Sequence, residues 1–173
     1  MKRLSVFLAA LAFFATSCSK DNPVAPADDN HIQFKATLLP ANERPTPILT
    51  GPEAVGSGVA TIDFNLTRDT AGAITAATVN FRVDVTGFPS TTAITLSHIH
   101  TGDANTAGGV LVSANVNPGE VVLVNGAVTY SRLNNTMTPA VAQSIINNPA
   151  GFYFNVHTAA NPAGVMRGQL VKQ

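Results

Sequence analysis

The chain has 173 residues and a formal net charge of zero, with 45% apolar and only 12% charged residues. Charged residues usually make up about 25% of a soluble chain; without a basic stripe to follow a phosphate backbone, nucleic acid is excluded as a partner. The length suits one domain, and Val, Ile, Thr and Phe dominate the periodic segments, which favours an all-β fold.

Residues 1–17 read as a signal peptide, to be set aside before fold reasoning. Lys2 and Arg3 form a positive start, and residues 4–15 form an apolar run too short to span a bilayer as a helix. Ala15-Thr16-Ser17-Cys18 resembles a bacterial lipobox, with Ala15 where leucine is common. Ordinary cleavage leaving a spare thiol is the alternative. A lone exported cysteine has no disulfide partner, which favours lipidation of Cys18. The expectation is a membrane anchor through acyl chains at Cys18, hence a bacterial cell-envelope, outer-membrane lipoprotein. Residues 18–30 are polar with two prolines and read as a lipid-attached flexible tether. Its Ser19-Lys20-Asp21 start resembles a surface-export tag, so exposure at the cell surface is part of the expectation. The folded domain is expected at 31–173.

Residues 31–39 alternate Ile32, Phe34 and Ala36 with Gln33, Lys35 and Thr37, the period of a half-buried strand. Residues 40–52, rich in Pro, Asn and Thr, predict an irregular connection that carries Glu43 and Arg44; loops this long are usually functional or mobile. A strand at 56–67 turns inward Ala60, Ile62, Phe64 and Leu66. A loop at 68–72, with Gly72 for positive φ, returns the chain into a strand at 74–87 with Val79, Phe81, Val83 and Val85 inward. The Asp69-Thr70-Ala71 tip resembles an O-glycosylation acceptor. After a turn at 89–92, strand 93–100 ends in His98 and His100, with Ile94 and Leu96 expected on the same face as the imidazoles. Residues 101–109 form a loop of small residues able to approach a ligand closely. Strands are expected at 110–116 and 126–133, and residues 120–124 form an apolar run without an assigned partner. Thr138 caps the only helix, Pro139 fits its first position, Val141, Ile145 and Ile146 form its apolar stripe, and Asn147-Asn148-Pro149 ends it. Phe152, Phe154 and Val156 then alternate with Tyr153, Asn155 and His157, and after a turn at 161–164 a last strand covers 165–171. Short strands joined by short turns predict an antiparallel sandwich or barrel of about eight strands with one short helix.

His98-Ile99-His100 places two imidazoles on one face of a strand. Asn155, His157, Thr158 and Arg167 are the expected partners, making one binding or structural cluster. Three readings stay open. In the first, the imidazoles and Arg167 are hydrogen-bonded parts of the scaffold. In the second, His98, His100 and His157 ligate zinc or copper, with Asn155, Asp103 or backbone carbonyls fixing the tautomers; the Arg167 charge opposes a cation there unless an anion intervenes. In the third, Arg167 with a histidine forms an anion or carboxylate pocket rimmed by 101–109. Enzyme chemistry finds little: there is no Gly-x-Ser-x-Gly elbow, Cys18 is consumed by the lipobox, and the acids are few for a glycosidase pair. A non-enzymatic envelope module with an unidentified protein or glycan partner is the leading expectation. A His-ligated zinc or copper protein, redox-active in one form, is the alternative.

The ordered set Phe34-Lys35-Ala36-Thr37-Leu38, His98-Ile99-His100-Thr101-Gly102, residues 152–158 (FYFNVHT), Asn161-Pro162 and Arg167-Gly168-Gln169-Leu170 resembles the CHRD family, named from chordin and also found in bacterial exported proteins. The likeness covers about residues 32–170. It implies an immunoglobulin-like β-sandwich and carries no established activity. Where the family has Gly-Gln-Glu-Val-Pro-Pro, this chain has Ala41-Asn42-Glu43-Arg44-Pro45-Thr46, so Glu43 and Pro45 match. Where the family has Gly-Glu-Ile-Arg-Gly, Val165 replaces the acid and cannot take over a ligand role. The strand-borne His-x-His is similar as well to the copper ligands of copper–zinc superoxide dismutase, whose bridging histidine and zinc-site spacing have no counterpart here.

Overall fold

The computed structural model describes residues 28–45, 49 and 51–173; the signal peptide, Cys18 and most of the tether lie outside the described residues. The strands are β1 (His31–Leu38), β2 (Ser57–Arg68), β3 (Ile74–Thr86), β4 (Ala93–Thr101), β5 (Val110–Ser113), β6 (Val121–Val122), β7 (Ala127–Met137), β8 (Phe152–Thr158), β9 (Met166–Gln169) and β10 (Val171–Lys172), with one α-helix, α1 (Pro139–Asn147). They form two antiparallel sheets. The first runs β10-β1-β2-β3-β7, and the second runs β5-β4-β8-β9 with β6 also paired to β4. Among the described residues, the expected all-β antiparallel sandwich with a single short α-helix is what the chain forms.

The period-2 pattern of each strand explains the packing. Phe34, Ile62, Phe64, Val79, Phe81 and Val83 point inward from the first sheet, and Ile99, Phe154, Val156 and Met166 meet them from the second. Phe81 and Phe154 face each other across the sandwich with ring centroids 5.6 Å apart. The buried Tyr130 hydroxyl, on β7, donates to Ser97 Oγ on β4 at 3.0 Å, a polar bolt between the sheets. Thr138 caps α1 by accepting from the Val141 N–H, as its position suggests. The helix buries Ala142 and Ile145, with Val141 and Ile146 at the edge of the core.

Several expectations change. A register shift between Ile94 and Leu96 flips the strand's alternation, so Ile94 joins the core while Leu96, 44% exposed, shares the face of His98 and His100. The apolar run at 120–124 contains β6, which pairs with Ala93 and Ile94. β5 is shorter and β7 longer than their periodicity suggests. The expected final strand at 165–171 breaks at Leu170 into β9, paired with β8, and β10, paired with β1. These two-residue strands raise the count from about eight to ten.

The crossing brings β9 against the end of β1: Leu39 and Arg167 exchange backbone hydrogen bonds of 3.1 and 3.3 Å. Gly168 sits where a Cβ would overlap the Thr37 carbonyl. Gly168→Ala is therefore expected to destabilise the fold by roughly 1–3 kcal/mol through overpacking, read as a lower urea midpoint at unchanged slope.

Candidate functional site

The outward face of the second sheet is where the three conspicuous stretches meet. Antiparallel register sets His98 opposite Asn155 and Asn155 opposite Arg167, and one row away sets His100 opposite Tyr153 and Tyr153 opposite Gln169. Leu96 stands opposite His157 in the next row. This face is not open to water. Residues 101–109, 40–44 and 159–165 lie over it, so β8 is buried along its whole length on both sides.

The imidazole protons can be assigned from their partners. His100 Nδ1 lies 2.9 Å from the Gly108 carbonyl and His157 Nδ1 lies 2.9 Å from the Pro162 carbonyl. A carbonyl only accepts, so both Nδ1 atoms carry a proton and, in the neutral ring, both Nε2 atoms carry a bare lone pair. His100 Nε2 is 2.9 Å from His98 Nδ1, and His157 Nε2 is 3.1 Å from Asn155 Oδ1. Asn155 Oδ1 is also 3.2 Å from His98 Nδ1. One ring nitrogen from each of the three buried histidines falls within 4.8 Å of the others, a group able to hold a metal ion. Burial first, then the facing His157 and His100, pushes His98 down to about 4. Burial is also the main cause that lowers His100 and His157. The three rings are thus neutral near pH 7, the protonation state that metal coordination requires.

Arg167 is 1% exposed. Its guanidinium donates to the Thr106 carbonyl at 3.1 Å, to the Asp103 carbonyl at 2.6 Å and to Gln169 Oε1 at 2.9 Å. It also lies 3.5 Å over the Tyr153 ring. His100 stacks on Tyr153 at 4.9 Å with planes 6° apart. Tyr153 occupies the strand between His100 on β4 and Arg167 on β9, so the aromatic ring stands between the imidazole and the positive charge. Gln169 Nε2 donates to Gly102, Ala150 and Phe152 carbonyls, completing the clasp on the 101–109 loop.

One acid enters this setting. Glu43 is 5% exposed, and its Oε1 has no hydrogen-bond partner among the described residues. Burial pushes its carboxyl up to about 7, against the opposing pull of Arg167 and the Asn155 side chain. Gly164 makes room for it: a Cβ there would lie 2.7 Å from Glu43 Oε1.

Five of the six residues singled out from sequence therefore meet: His98, His100, Asn155, His157 and Arg167. Thr158 does not, because strand alternation turns it to the other face, where its hydroxyl donates to Glu53 Oε2 at 2.7 Å. Asp103 does not orient an imidazole either; its carboxylate accepts from Asn105 N–H and Thr106 Oγ1 within its own loop. Backbone carbonyls fill that role. Sequence reasoning overlooked Tyr153 and Gln169, both visible from their same-face spacing to Asn155 and Arg167. It also left Glu43 out of the site, and no local pattern ties that residue to strands 50 to 120 residues away.

Arg167→Leu removes the donors to the Thr106 and Asp103 carbonyls, at a cost of about 0.5–1.5 kcal/mol for each hydrogen bond lost; a drop in the melting temperature checks this. Acid should also weaken the metal-free fold. Unfolded imidazoles protonate near 6.5 whereas folded His98 waits until about 4, so its stabilising contribution is lost as pH falls through 6.5 toward 4. Glu43 has the opposite sign: its folded carboxyl holds a proton up to about 7 while the unfolded one releases it near 4.5, so that contribution is present below 4.5 and lost as pH rises to 7. These two are similar in size, and the lowered His100 and His157 tip the balance toward loss in acid. Glu43→Gln removes the opposing contribution, and thermal unfolding between pH 7 and 4 should show a steeper decline for that variant.

The family model for the CHRD domain matches residues 34–170, from β1 to the end of β9 and the crossover residue Leu170. Neither a curated protein nor a solved structure matches the chain. The matched stretch contains every residue of the roofed cluster, and the chain belongs to the CHRD domain family.

Proposed function

We propose that this protein is a metal-binding module of the bacterial cell envelope, holding zinc or copper on His98, His100 and His157. The observation that carries the reading is the direction of the protons. His100 and His157 give their Nδ1 protons to backbone carbonyls, so their Nε2 lone pairs point into the same small volume as His98 Nδ1. Outer-shell carbonyls of this kind fix the tautomer of metal-bound imidazoles, and neutral nitrogen donors suit zinc and copper. The Arg167 charge still acts on His100, but its donors are turned to the loop carbonyls and the Tyr153 ring stands between it and that imidazole.

The signal peptide and lipobox support export and attachment through Cys18, with residues 18–30 as the tether, so the domain would sit at the outer membrane. A second reading keeps the cluster as scaffold and gives the surface to a protein or glycan partner; the near-complete burial of the histidines favours it. The pocket reading centred on Arg167 fares less well, since its guanidinium is enclosed and its donors are occupied.

Purified domain loaded with zinc or copper should retain about one ion per chain and melt at a higher temperature, with a stabilisation near 2.7 kcal/mol at a hundredfold excess over Kd. His100→Ala should abolish both effects. Absence of stoichiometric metal after loading with either ion overturns the metal reading and leaves the scaffold reading. For the anchor, Cys18→Ala should move the protein from the detergent phase to the aqueous phase in a Triton X-114 partition.

A further inference from the structure

Resting on the metal reading, we infer that Asn155 supplies the fourth ligand through Oδ1 and that Glu43 is the positioning residue that holds the amide in that orientation. Asn155 is 2% exposed and its Oδ1 lies 3.2 Å from His98 Nδ1 and 3.1 Å from His157 Nε2, while His98 Nδ1 and His100 Nε2 are 2.9 Å apart. A tetrahedral ion with bonds of about 2.0–2.1 Å separates its ligand atoms by about 3.3 Å. Three of the six separations are close to that edge length, and the three imidazole nitrogens lie within 4.8 Å of one another, so one ion can reach all four atoms once the wider pairs close around it.

Proton accounting leads to the same place. His157 has given its proton to Pro162, so its Nε2 and Asn155 Oδ1 are two acceptors facing each other. Buried lone pairs in such contact are unfavourable unless a cation lies between them. Turned over, the amide would offer an N–H to His157, at the expense of the contact between Oδ1 and His98 Nδ1, which in the metal-free ring carries the proton given to His100 Nε2. Once a metal replaces the His98 proton, that contact no longer holds Oδ1 inward, and Glu43 is placed to do so. It is buried beside Asn155, its Oε1 lacks a partner among the described residues, and Gly164 keeps the space that it fills. A carboxyl keeps an acceptor oxygen whether or not it holds its proton, so it draws the amide N–H₂ toward itself and turns Oδ1 to the imidazoles. In its ionised form it also offsets the charge of a divalent ion that is otherwise held by four neutral ligands. The result is a closed three-nitrogen, one-oxygen shell, suited to holding a metal rather than to binding a substrate on it.

Cobalt(II) and zinc titrations of the mature chain test this, using wild type, Glu43→Gln, Asn155→Asp, Asn155→Leu and the Glu43→Gln/Asn155→Asp pair. The wild type should give the intense visible absorption of tetrahedral cobalt. Glu43→Gln should weaken binding 10- to 100-fold, the range for loss of an outer-shell partner, while the metal-free melting temperature at pH 7 holds or rises. Asn155→Leu should lose the tetrahedral spectrum. Asn155→Asp should keep it, because a carboxylate oxygen needs no orienting, and in that background Glu43→Gln should no longer weaken binding. Wild-type affinity and spectrum in Asn155→Leu would overturn the inference while leaving the three-histidine site standing. An equal loss from Glu43→Gln in both backgrounds, with a lower metal-free melting temperature, would assign Glu43 a purely structural role and overturn its part. No metal in the wild type defeats the three-histidine site and this inference together.

Discussion

The buried guanidinium of Arg167 is the contact on which this architecture turns. A β-sandwich needs only one face of each sheet for its core, yet here β8, inside the second sheet, is buried on both faces. The outer layer is made of loop that is itself largely exposed, and side chains of the sheet tie down its inward carbonyls. Arg167 and Gln169 do this at Gly102, Asp103 and Thr106, and the backbone of Arg167 simultaneously ties β9 to the end of β1. Without that clasp the 101–109 segment would keep mainly the His100–Gly108 contact and its backbone bonds at Thr101 and Gly102 to hold it over the histidines.

The roof changes the chemistry beneath it. In water an imidazole titrates near neutrality; under the loops burial holds all three rings in the neutral form, so their lone pairs stay available for a soft or borderline cation. The loops act a second time by giving Gly108 and Pro162 carbonyls to the two Nδ1 protons, which sets the direction of the remaining lone pairs. The cover therefore determines both the charge and the orientation of the cluster, while the strands determine only its spacing. Glu43 adds a carboxyl from the 40–44 segment to a site otherwise made of neutral donors and one shielded cation.

Membership of the CHRD domain family accounts for the ordered recurrence of these segments along the chain but carries no activity with it. The departures are informative in physical terms. Val165 stands where the family has an acid, and in this chain it is fully buried beside Met166 in the core. Glu43, by contrast, keeps its acid and has a structural consequence, since it is the buried carboxyl nearest to Asn155.

Much of this protein was legible in its residues alone. Alternation in β2, β3 and β8, the Thr138-Pro139 helix start and the placement of His98 and His100 on one face all follow from local geometry, because period-2 and capping rules act within a few residues. Those rules break where the backbone departs from regularity: the shift after Ile94 and the crossing at Leu170 are one-residue events without a composition signal. The convergence of residues 43, 98–100, 153–157 and 167 belongs to tertiary structure, since it depends on strand order and on loops folding back over a sheet. So does the neutrality of the imidazoles, which arises from the water that folding removes. Sequence determined which side chains were available for a site; packing decided which of them meet, which way their protons point, and that an acid from a distant loop joins them.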